Sequence, residues 1–168
     1  MRILIITQTL NPKRGYGRFA FDLIGALQKK GVLVTTLVGR GETIYLNEKP
    51  VLWLNKKIGF LLNPFIIRWH ARGITVIHAL DGYPDAVFAA LSTFGMRKKL
   101  IITLQGNYAV EPLYHAFKSK IVEWAYLRAA HLVAISRYTR DEVLKKIQKH
   151  SIIDDSSKNL SVRMTNYQ

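Results

Sequence analysis

Two glycines and a basic residue stand where the first helix of the chain should begin. An apolar, β-branched run at residues 2–7 is typical of a buried strand, and helical spacing starts near residue 16. Backbone N–H groups at a helix N-terminus bind phosphate, and glycine allows a ligand to approach the backbone closely. The pattern predicts a phosphate-binding loop, with an ordinary turn into a helix as the alternative. The candidate residues are Gly15, Tyr16, Gly17 and Arg18.

Polar residues also follow three later apolar runs that are predicted to be strands. Asp81 stands where a carboxylate could meet a ligand hydroxyl, and amide and phenol groups near Gln105 could hydrogen-bond a sugar or polyol, unless that segment is simply a helix entry. Ser136 is expected to be a helix N-cap, because no Ser/His/Asp order supports a catalytic serine. The candidate sugar- or acceptor-binding residues are Asp81, Gln105, Gly106, Asn107, Tyr108, Ser136 and Arg137, and no catalytic residue is assigned.

The elements that must position these residues alternate along the chain. Strands alternating with helices indicate βαβ units, and hence a Rossmann-like α/β/α sandwich in three layers with a mainly parallel sheet. Ligands bind such sheets at the carboxyl ends of the strands, where the candidates lie, whereas His78 is expected to be a core residue with satisfied ring nitrogens. The predicted strands are 2–7, 32–38, 51–54, 75–79, 100–104 and 132–135, and the predicted helices are 16–30, 57–71 (started or kinked by Pro64), 83–94, 113–130 and 138–148.

Length and composition bound the class of protein. The 168 residues, 49% of them hydrophobic, suffice for one α/β domain, which we place at 1–150, with the polar segment 151–168 as a tail or truncated interdomain linker. The absence of cysteine excludes disulfides, thiolate metal sites and cysteine catalysis. We see no signal peptide and no apolar run of the roughly 20 residues that a membrane span requires, so we expect a cytoplasmic protein.

A dinucleotide-binding interpretation competes for the first loop. Gly15, Gly17 and Ala20 match the G-x-G-x-x-A fingerprint of NAD(P)-binding folds. The fingerprint requires its first glycine directly after the strand, whereas several residues intervene here. The acidic residue expected after the second strand is replaced by Arg40, which could accept a 2′-phosphate, so NADP binding remains an alternative.

Taken together, four segments in this order resemble the N-terminal domain of retaining GT-B glycosyltransferases of family 4. The loop containing Gly15 and Gly17 is similar to the family's Pro-x-x-Gly-Gly loop, with one residue between the glycines. His78 ends a strand similar to the family's Asp-Val-Ile-His strand, although Thr75 stands where the family has Asp. The loop from Gln105 to Tyr108 resembles His-Gly-Thr-Tyr with Gln in place of His. The strand that ends at Ser136 resembles the family's fourth motif, and the resemblance spans roughly residues 1–150.

The resemblance implies a division of labour between two domains. The N-terminal domain would bind a glycan or lipid-linked acceptor, and a C-terminal domain, in cis or in trans, would hold most of a UDP- or GDP-sugar donor. The reaction would need no cofactor and usually no metal. The Gly15–Gly17 loop would touch the donor diphosphate, and the Gln105–Tyr108 loop would lie near the transferred sugar. The chain alone is then expected to be inactive, and Gln105 puts in doubt any role that requires an imidazole.

The net charge of +14, from 25 Lys and Arg against 11 Asp and Glu, predicts a polyanionic partner or merely a solubilising surface. No nucleic-acid reader motif is present, so we favour an anionic membrane face over nucleic acid. The segment 56–72 interleaves basic and aromatic residues, which suits the membrane interface. Within it, Leu62, Ile66 and Ile67 are expected to face the core. A non-catalytic membrane-surface module is thus an alternative function. The interface candidates are Lys56, Lys57, Phe60, Arg68, Trp69 and Arg72.

Overall fold

The computed structural model describes residues 1–39, 45–46, 49–50, 52–53, 59–150 and 164–166, with side chains described for 1–39, 61–147 and 164. The strands are β1 Arg2–Thr7, β2 Leu33–Val38, β3 Tyr45–Leu46, β4 Lys49–Pro50, β5 Leu52–Trp53, β6 Val76–Ala79, β7 Lys99–Leu104, β8 His131–Ala134 and β9 Met164–Asn166. The helices are α1 Gly15–Lys29, α2 Gly59–His70, α3 Asp85–Ser92, α4 Gly106–Val110, α5 Ala116–Arg128 and α6 Arg137–His150, and a 3₁₀-helix spans Glu111–Tyr114.

The main sheet has the order β5-β2-β1-β6-β7-β8-β9, and each of its neighbouring pairs is parallel. Strands β3 and β4 form a separate antiparallel pair. The order reverses direction at β1, since β2 lies on one side of it and β6 on the other. In open parallel sheets ligands bind at the carboxyl ends of the strands near such a reversal. The predicted fold class is therefore confirmed, and the expected binding edge is defined.

Helices cover both faces of the sheet. Alternate residues of a strand point to opposite faces, so Ile3 and Ile5 pack with Ile24 of α1, whereas Leu4 and Ile6 belong to the larger core on the other face. That larger core is completed by buried residues of α2, α3, α5 and α6, among them Ile67, Ala86, Val87, Val122, Ala125, Val143 and Ile147. The two cores fix the strands rigidly, so their carboxyl ends form a stable platform for the loops.

Four features differ from the sequence prediction. The predicted helix 113–130 begins only at Ala116, because the 3₁₀-helix that contains Pro112 and the extended residue His115 precede it. The predicted binding loop after β7 is instead the short helix α4. Three residues of the predicted tail, Met164–Asn166, add a parallel strand beside β8. Of the two roles predicted for Pro64, starting or kinking the helix, the first is wrong, because Pro64 lies inside α2.

Candidate active site

A pocket of about 400 Å³ opens at the carboxyl edge of the sheet. It forms where the start of α1 meets the ends of β7 and β8. Three of its lining residues, Gly15, Tyr16 and Gln105, were predicted site residues, and the structure brings them together from positions 90 residues apart in the chain. Sequence reasoning missed the other two, Phe19 and Ile135, because an apolar side chain beside a strand end carries no signal that separates it from the core.

The first loop is held by its own hydrogen bonds. The backbone N–H of Asn11 donates to Thr9 Oγ1 over 3.1 Å, and the Asn11 side chain accepts from the N–H of Lys13 over 3.0 Å. The N–H of Arg14 donates to the Asn11 carbonyl at 3.0 Å. These turns fix the direction in which the chain enters α1, and they therefore determine which residues face the pocket.

The two glycines at the start of α1 do different work. Gly15 is exposed at the first helical position, and a Cβ there would meet no atom within 4 Å. Gly17 is buried, and a Cβ there would lie 2.6 Å from the backbone nitrogen of Asn11 and closer still to its carbonyl oxygen. Gly17 is therefore required for packing of the loop on the helix, whereas Gly15 leaves the N-terminus of α1 open to a ligand.

Arg18, the basic residue of the predicted phosphate loop, is engaged outside the pocket. Its Nε donates to Asp22 Oδ2 over 2.8 Å, one turn further along α1, and both side chains are mostly exposed. Arg18 does not line the pocket. None of the five described residues that line the pocket is cationic.

An aromatic contact joins the first loop to the loop after β7. The rings of Tyr16 and Tyr108 meet edge to face with centroids 5.3 Å apart. Gly106, at φ +53°, adopts a left-handed conformation that glycine tolerates best, and a Cβ there would lie 3.4 Å from the Tyr16 hydroxyl. Burial and the nearby charge of Asp81 raise the pKa of Tyr16, so its hydroxyl remains a hydrogen-bond donor at neutral pH.

Gln105 is almost completely buried at the end of β7. Its Nε2 donates to the carbonyl oxygen of Leu80 in the neighbouring loop. That bond uses one of the two N–H donors of the amide and fixes the side chain. The second N–H and Oε1 are the groups that could meet a ligand in the pocket.

Two buried carboxyl groups lie behind the pocket. Asp81 Oδ1 accepts from the N–H of Gly82 over 2.7 Å, and burial raises the pKa of Asp81 to about 6. Asp85 is fully buried at the start of α3; its Oδ1 accepts from Gln8 Nε2, while its Oδ2 has no hydrogen-bond partner. Burial and then the charge of Asp81 raise the pKa of Asp85 to about 8, so it is mostly protonated at neutral pH.

Asp85 was missed by sequence reasoning. It follows a proline at the start of a predicted helix, where an exposed acidic residue is ordinary, and only the tertiary structure buries it.

His78 has the structural role that the sequence suggested. Its Nε2 lies 2.8 Å from Thr103 Oγ1 on the adjacent strand, and burial lowers the pKa of His78 to about 4. The imidazole is therefore neutral at physiological pH, and its hydrogen bond lies within the sheet rather than in the pocket.

Ser136 is the predicted N-cap of α6. Its Oγ accepts from the N–H of Thr139 over 3.1 Å. Neither Ser136 nor Arg137 lines the pocket, nor does the exposed Asn107; Ile135 occupies that side instead. In the ranges whose side chains are described, no group of three or more His, Asp or Glu residues could hold a metal ion.

Three of the interface candidates have described side chains: Arg68 and Trp69 are exposed on α2, and Arg72 is exposed just after it. Trp69 is 62% exposed with the Arg72 guanidinium 4.1 Å from its ring centroid, and Arg68 Nη1 donates to the carbonyl of Phe94 over 2.8 Å. Leu62 is exposed, contrary to the expectation that it faces the core, whereas Ile67 is fully buried and Ile66 partly buried as expected. The side chains of Lys56, Lys57 and Phe60 lie outside the described residues. None of the helices in the described ranges is long and apolar enough to span a membrane.

Comparison with solved structures finds the same fold in a longer chain. HepE of Anabaena in complex with UDP matches 99% of this chain with a TM-score of 0.64 at 14% identity, and the match covers 43% of HepE. HepE with UDP and glucose matches 99% of this chain with a TM-score of 0.57 at 13% identity, covering 44% of HepE. The chain thus spans less than half the length of those structures. No curated protein matches the sequence.

The family profile described as Glycosyltransferase Family 4 matches residues 13–153. The match spans most of the chain, from the loop before α1 to the end of α6, and it includes every residue that lines the pocket. It agrees with the resemblance of the four strand-end segments to the N-terminal domain of such enzymes. The chain therefore belongs to Glycosyltransferase Family 4.

Proposed function

We propose that the chain is the acceptor-side domain of a glycosyltransferase that moves a sugar from a UDP- or GDP-sugar to a glycan or lipid-linked acceptor. Membership of the family supports this, as does the likeness to HepE, whose structures contain UDP, or UDP and glucose. The observation that carries the proposal is the pocket formed by Gly15, Tyr16 and Gln105 at the carboxyl edge of the sheet.

Each polar group of the pocket suits one part of such a substrate pair. The leading N–H groups of α1, at Gly15 and Tyr16, would bind the donor diphosphate. The Gln105 amide oxygen would accept a hydrogen bond from a sugar hydroxyl. Asp81 and Tyr108 are further candidates for the sugar or acceptor hydroxyls. In the reaction the bond from the sugar C1 to the diphosphate oxygen breaks and a bond from C1 to the acceptor oxygen forms. The nucleoside diphosphate leaves with the electron pair of the broken bond, and the proton of the acceptor hydroxyl passes to it or to solvent.

The composition of the pocket supports the proposal that a second domain is needed. None of its five lining residues is cationic, yet a nucleotide diphosphate carries charge that proteins usually meet with Arg, Lys or a metal. The remaining cationic groups would come from a C-terminal donor-binding domain, in cis or in trans. The chain alone is accordingly proposed to be inactive.

The test compares substitutions at two glycines of α1 where an added side chain would have free space. The assay measures sugar transfer from UDP-glucose or GDP-mannose by the chain together with its donor-binding domain. Gly15→Val should reduce this transfer by about a hundredfold, because the valine side chain blocks the helix N-terminus. The control Gly25→Val lies mid-helix, also with no atom within 4 Å of the new Cβ. Equal activity of the two variants would remove the pocket from the mechanism.

A specific observation favours a second candidate function, attachment to an anionic membrane face on the cytoplasmic side. Leu61, Phe65 and Trp69 recur at four-residue intervals on α2 and are 72%, 70% and 62% exposed, beside Arg68 and Arg72. Large apolar groups flanked by arginine suit the boundary between headgroups and acyl chains.

Sedimentation with vesicles tests this attachment. The protein should bind vesicles that contain phosphatidylglycerol, and salt should weaken the binding. Phe65→Ser should reduce the bound fraction several-fold, whereas Phe117→Ser, on the 99% exposed Phe117 of α5, should not. An equal effect of both variants would mean that α2 is not the contact.

A further inference from the structure

A second cavity, of about 620 Å³, lies at the opposite edge of the sheet. It opens between the amino ends of β1 and β2 and the C-terminal end of α2. Because alternate strand residues share a face, Arg2 and Leu33 lie on the same face as Leu4 and Leu37, which is the face covered by α2. No residue of this cavity lines the pocket at the carboxyl edge, so the two are separate sites.

One wall of the cavity is basic. It presents Arg2 from β1, and His70 and Arg72 from the end of α2. The backbone at Arg2 is fixed by Thr75, whose Oγ1 donates to the Arg2 carbonyl over 2.7 Å, and the Arg72 guanidinium is stacked on Trp69. None of the lining residues is acidic, and in the described part of the chain neither arginine forms an ion pair with a carboxylate.

The rest of the lining contains apolar and polar groups. Val32, Leu33, Val34 and Ile74 are apolar, with Leu33 60% exposed, whereas Gln28 and Thr35 are polar. Guanidinium groups bind phosphate oxygens in pairs, and apolar side chains that remain in contact with water favour a hydrocarbon ligand. A cavity that combines arginines with apolar side chains therefore fits an amphiphile whose polar end is a phosphate.

We propose that this cavity binds the phosphate headgroup of an anionic membrane phospholipid. Trp69 and Arg72 connect it to the exposed apolar stripe of α2, so a lipid held there would lie at the edge of the surface suited to a bilayer. The site uses none of the residues proposed for sugar transfer. Either outcome of the lipid-binding test therefore leaves the proposed sugar transfer unaffected.

Calorimetry with dihexanoyl phosphatidylglycerol, kept below its micelle concentration, tests the site without a bilayer. A purification tag should be placed at the C-terminus of the chain, since Arg2 is adjacent to the N-terminus. Arg2→Gln should weaken binding at least about tenfold, as expected for a lost charge-assisted hydrogen bond. Arg97→Gln removes the same charge from an exposed residue outside the cavity and should change affinity less than about twofold. Arg2→Lys keeps the charge but loses the paired donors, so it should lie between the two.

Three results would overturn the proposal. Equal effects of Arg2→Gln and Arg97→Gln would show that the charge acts diffusely rather than through a site. Inorganic phosphate binding as tightly as the lipid would assign the cavity to a free phosphate. Absence of lipid binding by the unmodified protein would exclude the site, and thermal unfolding of each variant would confirm that it remains folded.

Discussion

The carboxyl edge of the sheet and the outer face of α2 differ in the sign and in the solvent exposure of their ionisable side chains. At the carboxyl edge two of the ionisable groups are buried acids, Asp81 and Asp85, whose raised pKa values favour the neutral form, and none of the five described residues that line the pocket is cationic. On the outer face of α2 the arginines are exposed, without carboxylates bonded to them in the described part of the chain. The basic character of the sequence thus describes the outside of the domain and says little about the pocket.

The largest expected effect tests how tightly the carboxyl edge is packed. Gly17→Ala should lower the free energy of unfolding by about 3 kcal/mol, because the new Cβ overlaps the Asn11 backbone. Gly25→Ala, in open space on the same helix, should raise it by up to about 1 kcal/mol through helix propensity. Urea unfolding measures both. A Gly17→Ala variant as stable as the unmodified protein would mean that the loop can shift away from α1.

The next effect concerns the buried acid. Asp85 has a pKa near 8 when folded, against an ordinary value of 3.8, so the unfolded chain releases its proton first. The stability that neutral Asp85 provides is fully present below pH 3.8 and is lost as the pH rises through 8, by at most about 1.4 kcal/mol per pH unit. Asp85→Asn should remove this loss and be the more stable protein at pH 8.

Unfolding curves at pH 5 and pH 8 measure the difference. The control Asp141→Asn changes an exposed carboxylate of α6, which is bonded to Arg140, and should show no gain in stability at pH 8. A difference between Asp85→Asn and the unmodified protein that does not change with pH would show that Asp85 is ionised in the folded state.

The smallest effect concerns a neutral hydrogen bond at the same edge. Tyr126 is fully buried, and its hydroxyl donates to the Ala109 carbonyl over 2.8 Å. Tyr126→Phe should cost about 1–2 kcal/mol of stability, because the carbonyl is left without that donor. Tyr138→Phe, at a residue that is 61% exposed, should change stability by less than about 0.5 kcal/mol. Thermal unfolding would distinguish them, and equal losses would contradict the assigned bond.

Local pattern was sufficient to predict most of the sheet. The apolar runs at β1, β2, β6, β7 and β8 were located within about a residue, because strands buried on both faces are continuous in sequence. Strand β9 was not predicted, since its three residues, Met164–Asn166, carry no alternation and depend on pairing with β8. The predicted helix 113–130 began three residues too early, because the apolar spacing already starts at Leu113, which belongs to the 3₁₀-helix Glu111–Tyr114.

The candidate site was predicted in part. Gly15, Tyr16 and Gln105 were identified because polar residues and glycine follow apolar strands, and parallel topology brings strand ends together. The distinction between Gly15 and Gly17 could not be predicted, because it depends on where the Asn11 backbone lies. Arg18 forms an ion pair with Asp22, four residues further along α1, instead of lining the pocket. The i,i+4 spacing of the two residues makes this pairing predictable from the sequence.

The contacts that cross the carboxyl edge have a consequence for how a substrate is enclosed. Gln8 is tied to Asp85, Gln105 to Leu80, and Tyr126 to Ala109, so neighbouring loops cannot move independently. A ligand that arrives at this edge therefore meets a preorganised surface and loses little conformational entropy on ordering it. Among the described residues these tied loops would contribute little to closure around a substrate, and in the proposed function closure would come from hinge motion of the donor-binding domain.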